Sequence, residues 1–372
     1  MAISDVLAVG WRALSLRILD LGVVVVATLS VLALLNRIAP RFDLLDLPDG
    51  GRKIHAKAVP LTGGLALVIG IWIGALFTSK FGQADIGQVD FEVLALLGIV
   101  VAVHAFDDQS GLSTRQRLVI DAVIALAFIV VTGGIIHSFG TIWGIKLLFG
   151  WFAVPLTIFV YLSLTNAYNM IDGVDGLALT QFLIASVSLG LWHIIHAPDS
   201  GFEPLAFPVI VASLAVLAAN LGFVGERLKC FLGDSGSRFL GFFLVFMLVS
   251  EGTDVLSPIQ GGYLIALPLF DMCAVVAERV RAGEGPMQAD RRHLHHLIID
   301  AGGSGRSAML VMGAISIGLS ALVFVQDALG ISDLGSLAVL LVIAGGHFAG
   351  RRAGVKLFVW TIRSRRSAGP AE

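Results

Sequence analysis

Apolar residues run in long blocks along this chain, and polar ones are confined to the gaps between them. About 20 consecutive apolar residues carry a helix across a bilayer core. Eleven stretches approach that pattern, at about 20–37, 61–79, 92–106, 118–137, 147–165, 176–196, 204–224, 238–250, 258–278, 307–326 and 334–350. They predict an all-α, polytopic integral membrane protein with about eleven transmembrane helices. Two stretches are short. Val93 to Phe106 is bounded by Glu92 and Asp107, and Phe239 to Ser250 by Arg238 and Glu251. Charged ends at membrane depth are tolerated only in a polar or water-lined cavity. The first stretch lacks a small-residue cleavage site, so it does not read as a cleaved signal peptide.

Composition agrees. Of 372 residues, 56% are hydrophobic and only 14% charged, against about 25% charged in soluble domains. A water-soluble protein and a disordered one are both excluded. The formal net charge of −2 argues against nucleic acid as a partner. Cys230 and Cys273 are too few for a disulfide framework. The 43 glycines suit closely packed membrane helices.

Charge placement orients the chain. Of the 25 basic residues, 21 fall in the odd-numbered gaps and the tail; Arg12, Arg17, Lys80 and Lys146 are the exceptions. The positive-inside rule therefore puts the N-terminus outside and the C-terminus in the cytoplasm. Arg12 and Arg17 are assigned to an interfacial extension of the first helix. No repeat, low-complexity tract or soluble insert interrupts the pattern. The chain reads as one membrane domain over 1–372, with a motif-bearing part at about 43–303 and a basic cytoplasmic tail at about 351–372.

Five polar clusters stand out, all on the cytoplasmic side. Leu47 to Gly64 places Arg52, Lys53 and Lys57 ahead of Pro60 and a glycine pair, which suits a loop gripping an anion, or simply a basic inside loop. Asp107 and Asp108 end the short third stretch, and adjacent helix positions point different ways, so the two can take different roles. Asn166 to Leu177 holds Asn166, Asn169, Asp172 and Asp175 with two glycines and no basic residue. Those hard oxygens suit Mg²⁺, or a sugar and a nucleobase, and their spacing is not that of an EF-hand. Phe231 to Ser237 reads Phe-Leu-Gly-Asp-Ser-Gly-Ser, fit to cap a helix and offer N–H groups to phosphate. A serine nucleophile there is rejected, because no elbow or triad is visible. Asp290 to His296 carries His293, His295 and His296, suited to phosphate binding or proton transfer, with zinc the weaker alternative.

Other polar residues read as structural. Asp271 and Glu278 share a face of the ninth stretch and must avoid lipid. Asp121 is placed to pair with Arg117 four residues earlier. His104, His137, His193, His196 and His347 have no partner identifiable from sequence.

These five clusters, in this order and on one side of a multi-helix membrane protein, resemble the polyprenyl-phosphate N-acetylhexosamine-1-phosphate transferase family from about Asp43 to Gly303. The resemblance implies transfer of a sugar 1-phosphate from a UDP-N-acetylhexosamine to undecaprenyl phosphate, with release of UMP. The setting it implies is the cytoplasmic face of a bacterial inner membrane, with Mg²⁺ as cofactor and Mn²⁺ as its substitute. His293-Leu294-His295-His296 looks like the UDP-GlcNAc branch, which starts envelope polysaccharides such as O-antigen or teichoic acid. The peptidoglycan branch, taking UDP-MurNAc-pentapeptide, usually has three consecutive histidines. Gly285-Pro286-Met287 departs from the Ser-Pro-Phe common in the first branch. Carried over by position, Asp107, Asp108 and Asp234 are the implied catalytic and metal-holding residues. Lys57, Asn166, Asn169, Asp172, Asp175 and Phe231 are implied to hold uridine and diphosphate, and the three histidines the phosphates. A homodimer is left open. A transporter is the competing reading, but its site would lie near the midplane within repeated halves. A scaffold would not need so many amides and carboxylates in its loops.

Overall fold

The computed structural model describes residues 3–47, 58–81, 88–197, 203–251, 256–288 and 290–367. The chain is mostly helical. In order come α1 (Ile3–Ile38), α2 (Gly63–Phe81), α3 (Gln88–Ser110), α4 (Thr114–Thr132), α5 (Ala153–Ile171), α6 (Leu177–His196) and α7 (Glu203–Asn220). Then follow α8 (Gly233–Phe246), α9 (Pro258–Leu264), α10 (Ala266–Arg281), α11 (Leu294–Asp300), α12 (Gly305–Ala328) and α13 (Asp333–Ser367). Each of the eleven apolar stretches falls on one of these helices, α9 and α10 sharing one stretch. Among the described residues, six helices are long and apolar enough to cross a membrane, or seven if the 80° bend between α9 and α10 lies within one span.

Two small sheets interrupt the helices, a departure from the purely helical expectation. Leu45–Asp46 pairs with Val59–Pro60, and Ser138–Ile142 pairs with Ile145–Leu148, both antiparallel. On either side of the second sheet, α4 ends at Thr132 and α5 begins at Ala153, inside the predicted 118–137 and 147–165. α4 stops at Thr132 because Gly133 takes a left-handed cap (φ 67°). Trp143 and Gly144 then turn the hairpin with positive φ at both positions.

α8 is the axis of the fold. Every residue from Ser235 to Phe246 is buried, and α2, α3, α5 and α6 pack around it. A helix apolar on all sides belongs at the centre of a bundle. Aromatic rings fill the space beside it: Phe128 of α4 stacks on Phe242 at 5.7 Å, and Tyr161 of α5 lies 5.5 Å from Phe242. The outward faces stay apolar, with Val130, Phe159 and Val342 all largely exposed. Water would penalise that surface; lipid does not.

One close approach fixes the site. Phe231 N donates to Pro60 O at 2.8 Å, and Gly63 N and Gly64 N donate to Phe231 O and Leu232 O at 3.0 Å. The segments entering α2 and α8 therefore pair backbone to backbone. A Cβ on Gly64 would lie 2.4 Å from Gly236 N, so only glycine fits there.

Candidate active site

The ends of three helices meet where the polar clusters converge. Asp108 in the last turn of α3, Asn169 in the last turn of α5 and Asp234 in the first turn of α8 form the centre. Asn169 Nδ2 donates to Asp234 Oδ1 at 2.9 Å and to Ser237 Oγ at 3.2 Å. Asp234 N donates to Asp108 Oδ1 at 3.2 Å. Gly233, with φ 75°, makes the turn that aims this N–H; its absent Cβ would stand 3.0 Å from Asp108 Oδ2.

The carboxylates act on one another. Asp108 is pushed up to about 7, first by burial and then by Asp234. Asp172, just past α5, is pushed up to about 8 by burial, then by Asp234, Asp175 and Asp108. Acids clustered in this way hold protons unless a cation joins them. Asp175 meets Lys229 Nζ at 3.3 Å.

Asp107 faces elsewhere. Its Oδ2 lies 2.6 Å from Arg117 Nε, and its Oδ1 accepts from Leu112 N at 2.6 Å. Both oxygens are thus engaged in holding the turn into α4 and Arg117. Arg117 extends over the site, with Nη1 3.6 Å from Asp234 Oδ2. The expected Arg117–Asp121 pair does not form. Asp121, a turn deeper and buried, pairs instead with Arg238 of α8 and accepts from His104 Nε2 at 2.8 Å. Local spacing favours Arg117, but a buried aspartate needs a partner at its own depth, and Arg238 supplies it. His104 and His196 likewise have partners: His196 Nε2 meets Asp327 Oδ2 at 3.1 Å.

The histidine cluster reaches the site through Gly173. A Cβ at Gly173 would lie 2.6 Å from His295 Nε2, so the two segments touch. His295 is buried and pushed down to about 3, by desolvation and then by His296, which keeps it neutral. Rings of His293 and His295 stack at 5.8 Å, and those of His295 and His296 lie 4.2 Å apart. His293 Nδ1 donates to Asp271 Oδ2 at 2.9 Å.

Among the predicted site residues, Asp108, Asn169, Asp172, Asp234 and the histidines are brought together. Asn166 turns inward, its Nδ2 donating to Leu162 O in its own helix at 2.7 Å. Phe231 contributes backbone to the α2 junction. Lys57, like Arg52 and Lys53, lies outside the described residues. Arg117 is the functional candidate that sequence reasoning missed. The available signal was a basic residue on the cytoplasmic side, ten residues beyond Asp107.

No set of three or more His, Cys, Asp or Glu among the described residues stands ready to hold a metal ion. Mg²⁺ does not require one, since it usually takes one or two carboxylates and completes its shell with water and substrate phosphate. Asp108 Oδ2 is buried without a hydrogen-bond partner, and the donors here are all hard oxygens. These features fit such an ion.

The chain matches the family model of glycosyl transferase family 4 over residues 91–251. It is 34% identical over 286 residues to the undecaprenyl-phosphate alpha-N-acetylglucosaminyl 1-phosphate transferase of Salmonella typhi, spanning 75% of each chain. The protein of the same description from Escherichia coli (strain K12) is 34% identical over 292 residues, 74% of this chain and 75% of that one. The decaprenyl-phosphate N-acetylglucosaminephosphotransferase of Mycolicibacterium smegmatis is 28% identical over 343 residues, 82% of each.

Proposed function

This chain belongs to glycosyl transferase family 4, and on that basis we propose that it transfers N-acetylglucosamine 1-phosphate from UDP-GlcNAc to undecaprenyl phosphate, releasing UMP. The observation that carries the reading is the meeting of Asp108, Asn169 and Asp234 from three helices, with Arg117 above them. A diphosphate donor needs cations and donors at one point, and this is where they gather.

The reaction is an in-line displacement. An oxygen of the lipid phosphate attacks the phosphorus bonded to the sugar. The bond from that phosphorus to the bridging oxygen breaks, and UMP leaves with that oxygen. A phosphomonoester has its second pKa near ~6, so the acceptor is largely dianionic at neutral pH and needs no strong base. Positioning and charge neutralisation then carry the catalysis. Asp234 and Asp108 would hold Mg²⁺. The ion, when bound, neutralises charge building on the diphosphate. Asn169 fixes the rotamer of Asp234. Asp107 holds Arg117 so that its guanidinium meets phosphate oxygens beside Asp234. Asp172 and Asp175 line the donor side, and His293 and His296 bind phosphate oxygens, with His295 packed as their neutral support.

The membrane setting is part of the proposal. Eleven spans, with the site and the C-terminus in the cytoplasm of a bacterial inner membrane, are supported by the basic-residue asymmetry and by all five clusters lying on one predicted side.

The test is purified full-length protein in detergent with undecaprenyl phosphate, Mg²⁺ and a panel of UDP-sugars. UMP and a lipid-linked GlcNAc product are expected with UDP-GlcNAc. Product only with UDP-MurNAc-pentapeptide would transfer the assignment to the peptidoglycan branch, and no product with any donor would end it.

A further inference from the structure

Asp271 lies in α10 and is fully buried. Different parts of the chain engage its two oxygens. Oδ2 accepts from His293 Nδ1 at 2.9 Å. Oδ1 accepts from Leu294 N at 2.9 Å and from Arg351 Nη1 at 3.2 Å. Arg351 belongs to α13, and its side chain is buried. Its Nη2 reaches Glu278 Oε1 at 2.8 Å, while Arg352 Nη2 holds Glu278 Oε2 at 2.6 Å. One guanidinium therefore bridges two carboxylates on a single face of α10. Its rigid planar fork suits that task better than a lysine would.

The bridge ends at the site. An ionised carboxylate only accepts, so His293 gives its Nδ1–H to Asp271 and turns Nε2 away from it, where, protonated, Nε2–H donates to a phosphate oxygen. Supporting carboxylates of this kind set both tautomer and ring orientation. Two residues further on, His295 rests against Gly173 of the Asp172 loop. None of Asp271, His293 and Arg351 falls within the matched family segment, 91–251.

We propose that Arg351, on the last helix, is a positioning residue for the transfer reaction: it fixes Asp271, and Asp271 fixes the ring of His293 against a substrate phosphate. The inference rests on the phosphate-binding role given above to the histidines.

The test is a double-mutant cycle on the full-length protein in detergent, read by UMP release at varied UDP-GlcNAc and varied undecaprenyl phosphate. Arg351→Gln should raise KM for one of the two substrates about tenfold, the scale of losing a supporting partner, with kcat nearly unchanged. In the His293→Ala background the same substitution should have no further effect. Arg352→Gln, which keeps the Asp271 contacts, should behave as wild type. Additive effects in the cycle, or an unchanged KM in Arg351→Gln, overturn the proposal. A ¹⁵N-histidine spectrum gives a second readout that does not need turnover: the Nδ1–H signal of His293 should shift in Arg351→Gln. If Arg351→Gln does not fold, Arg351→Lys enters the same cycle and spectrum. Wild-type protein without transferase activity would count against the proposed function, and the spectrum would then decide the positioning role alone.

Discussion

Asp234 and Asp108, 126 residues apart on different helices, are joined by a hydrogen bond from the backbone N–H of one to the carboxylate of the other at 3.2 Å. The first turn of α8 thereby grips the end of α3. The gripped carboxylate keeps its second oxygen buried and without a partner. The two acids are held side by side, with Arg117 Nη1 3.6 Å from the outer oxygen of Asp234.

Asp234→Asn should therefore abolish turnover while the fold survives. The amide oxygen still accepts from Asn169, but the charge is gone. A loss of about 10²–10³ in kcat or more is expected, the scale of removing one preorganised electrostatic partner. UMP release and a melting curve, measured on the same preparation, check both halves.

Mg²⁺ should stabilise the protein more at higher pH. Asp108 and Asp172 titrate at about 7 and about 8 in the folded chain, well above the ~3.9 of a free aspartate. Between those values the folded state binds more protons than the unfolded one. The contribution of both groups to stability therefore falls as pH rises from about 4 to about 8. A cation replaces the protons, so its stabilising effect grows over the upper part of that range. Melting temperatures with and without MgCl₂ near pH 6 and pH 8 test this; equal shifts at both would contradict it.

Arg238→Met should destabilise the bundle strongly. It leaves Asp121 buried beside His104 without its cation, and breaking a buried pair costs about 3–5 kcal/mol. Adding Asp121→Leu to Arg238→Met should restore much of the loss. Thermal unfolding in detergent distinguishes the single from the double variant.

Gly64→Ala should disrupt the α2–α8 junction. Its methyl would collide with the backbone of Gly236, which cannot swing aside. Overpacking costs about 1–3 kcal/mol, and here the displaced turn carries Asp234. Activity should drop further than stability, as seen by comparing kcat with the melting temperature.

Much of this was legible in the chain. Apolar blocks located every major helix, and Asp108, Asn169, Asp172 and Asp234 stood out because carboxylates and amides beside apolar stretches need a reason. Partnerships were harder to read. Helix spacing pairs Arg117 with Asp121, yet Arg117 lies on Asp107, since spacing reports neighbours on one helix and not those across a crossing. The partners of Asp271 lie 22 and 80 residues away, so spacing along the chain does not name them. The Ser138–Leu148 hairpin falls almost wholly in the gap between the 118–137 and 147–165 stretches, where its Phe, Ile and Leu residues do not form a run long enough to mark a strand.

The Asp121–Arg238 pair also constrains how the protein is made. α4 leaves the ribosome long before α8, and a lone charge in the membrane core costs about 2.5–3.5 kcal/mol on insertion scales. Until Arg238 arrives, 117 residues later, Asp121 of α4 has His104 of α3 for a partner but lacks its arginine. Early helices are thus best retained beside the insertion machinery, and release into lipid waits for the centre of the bundle to be threaded.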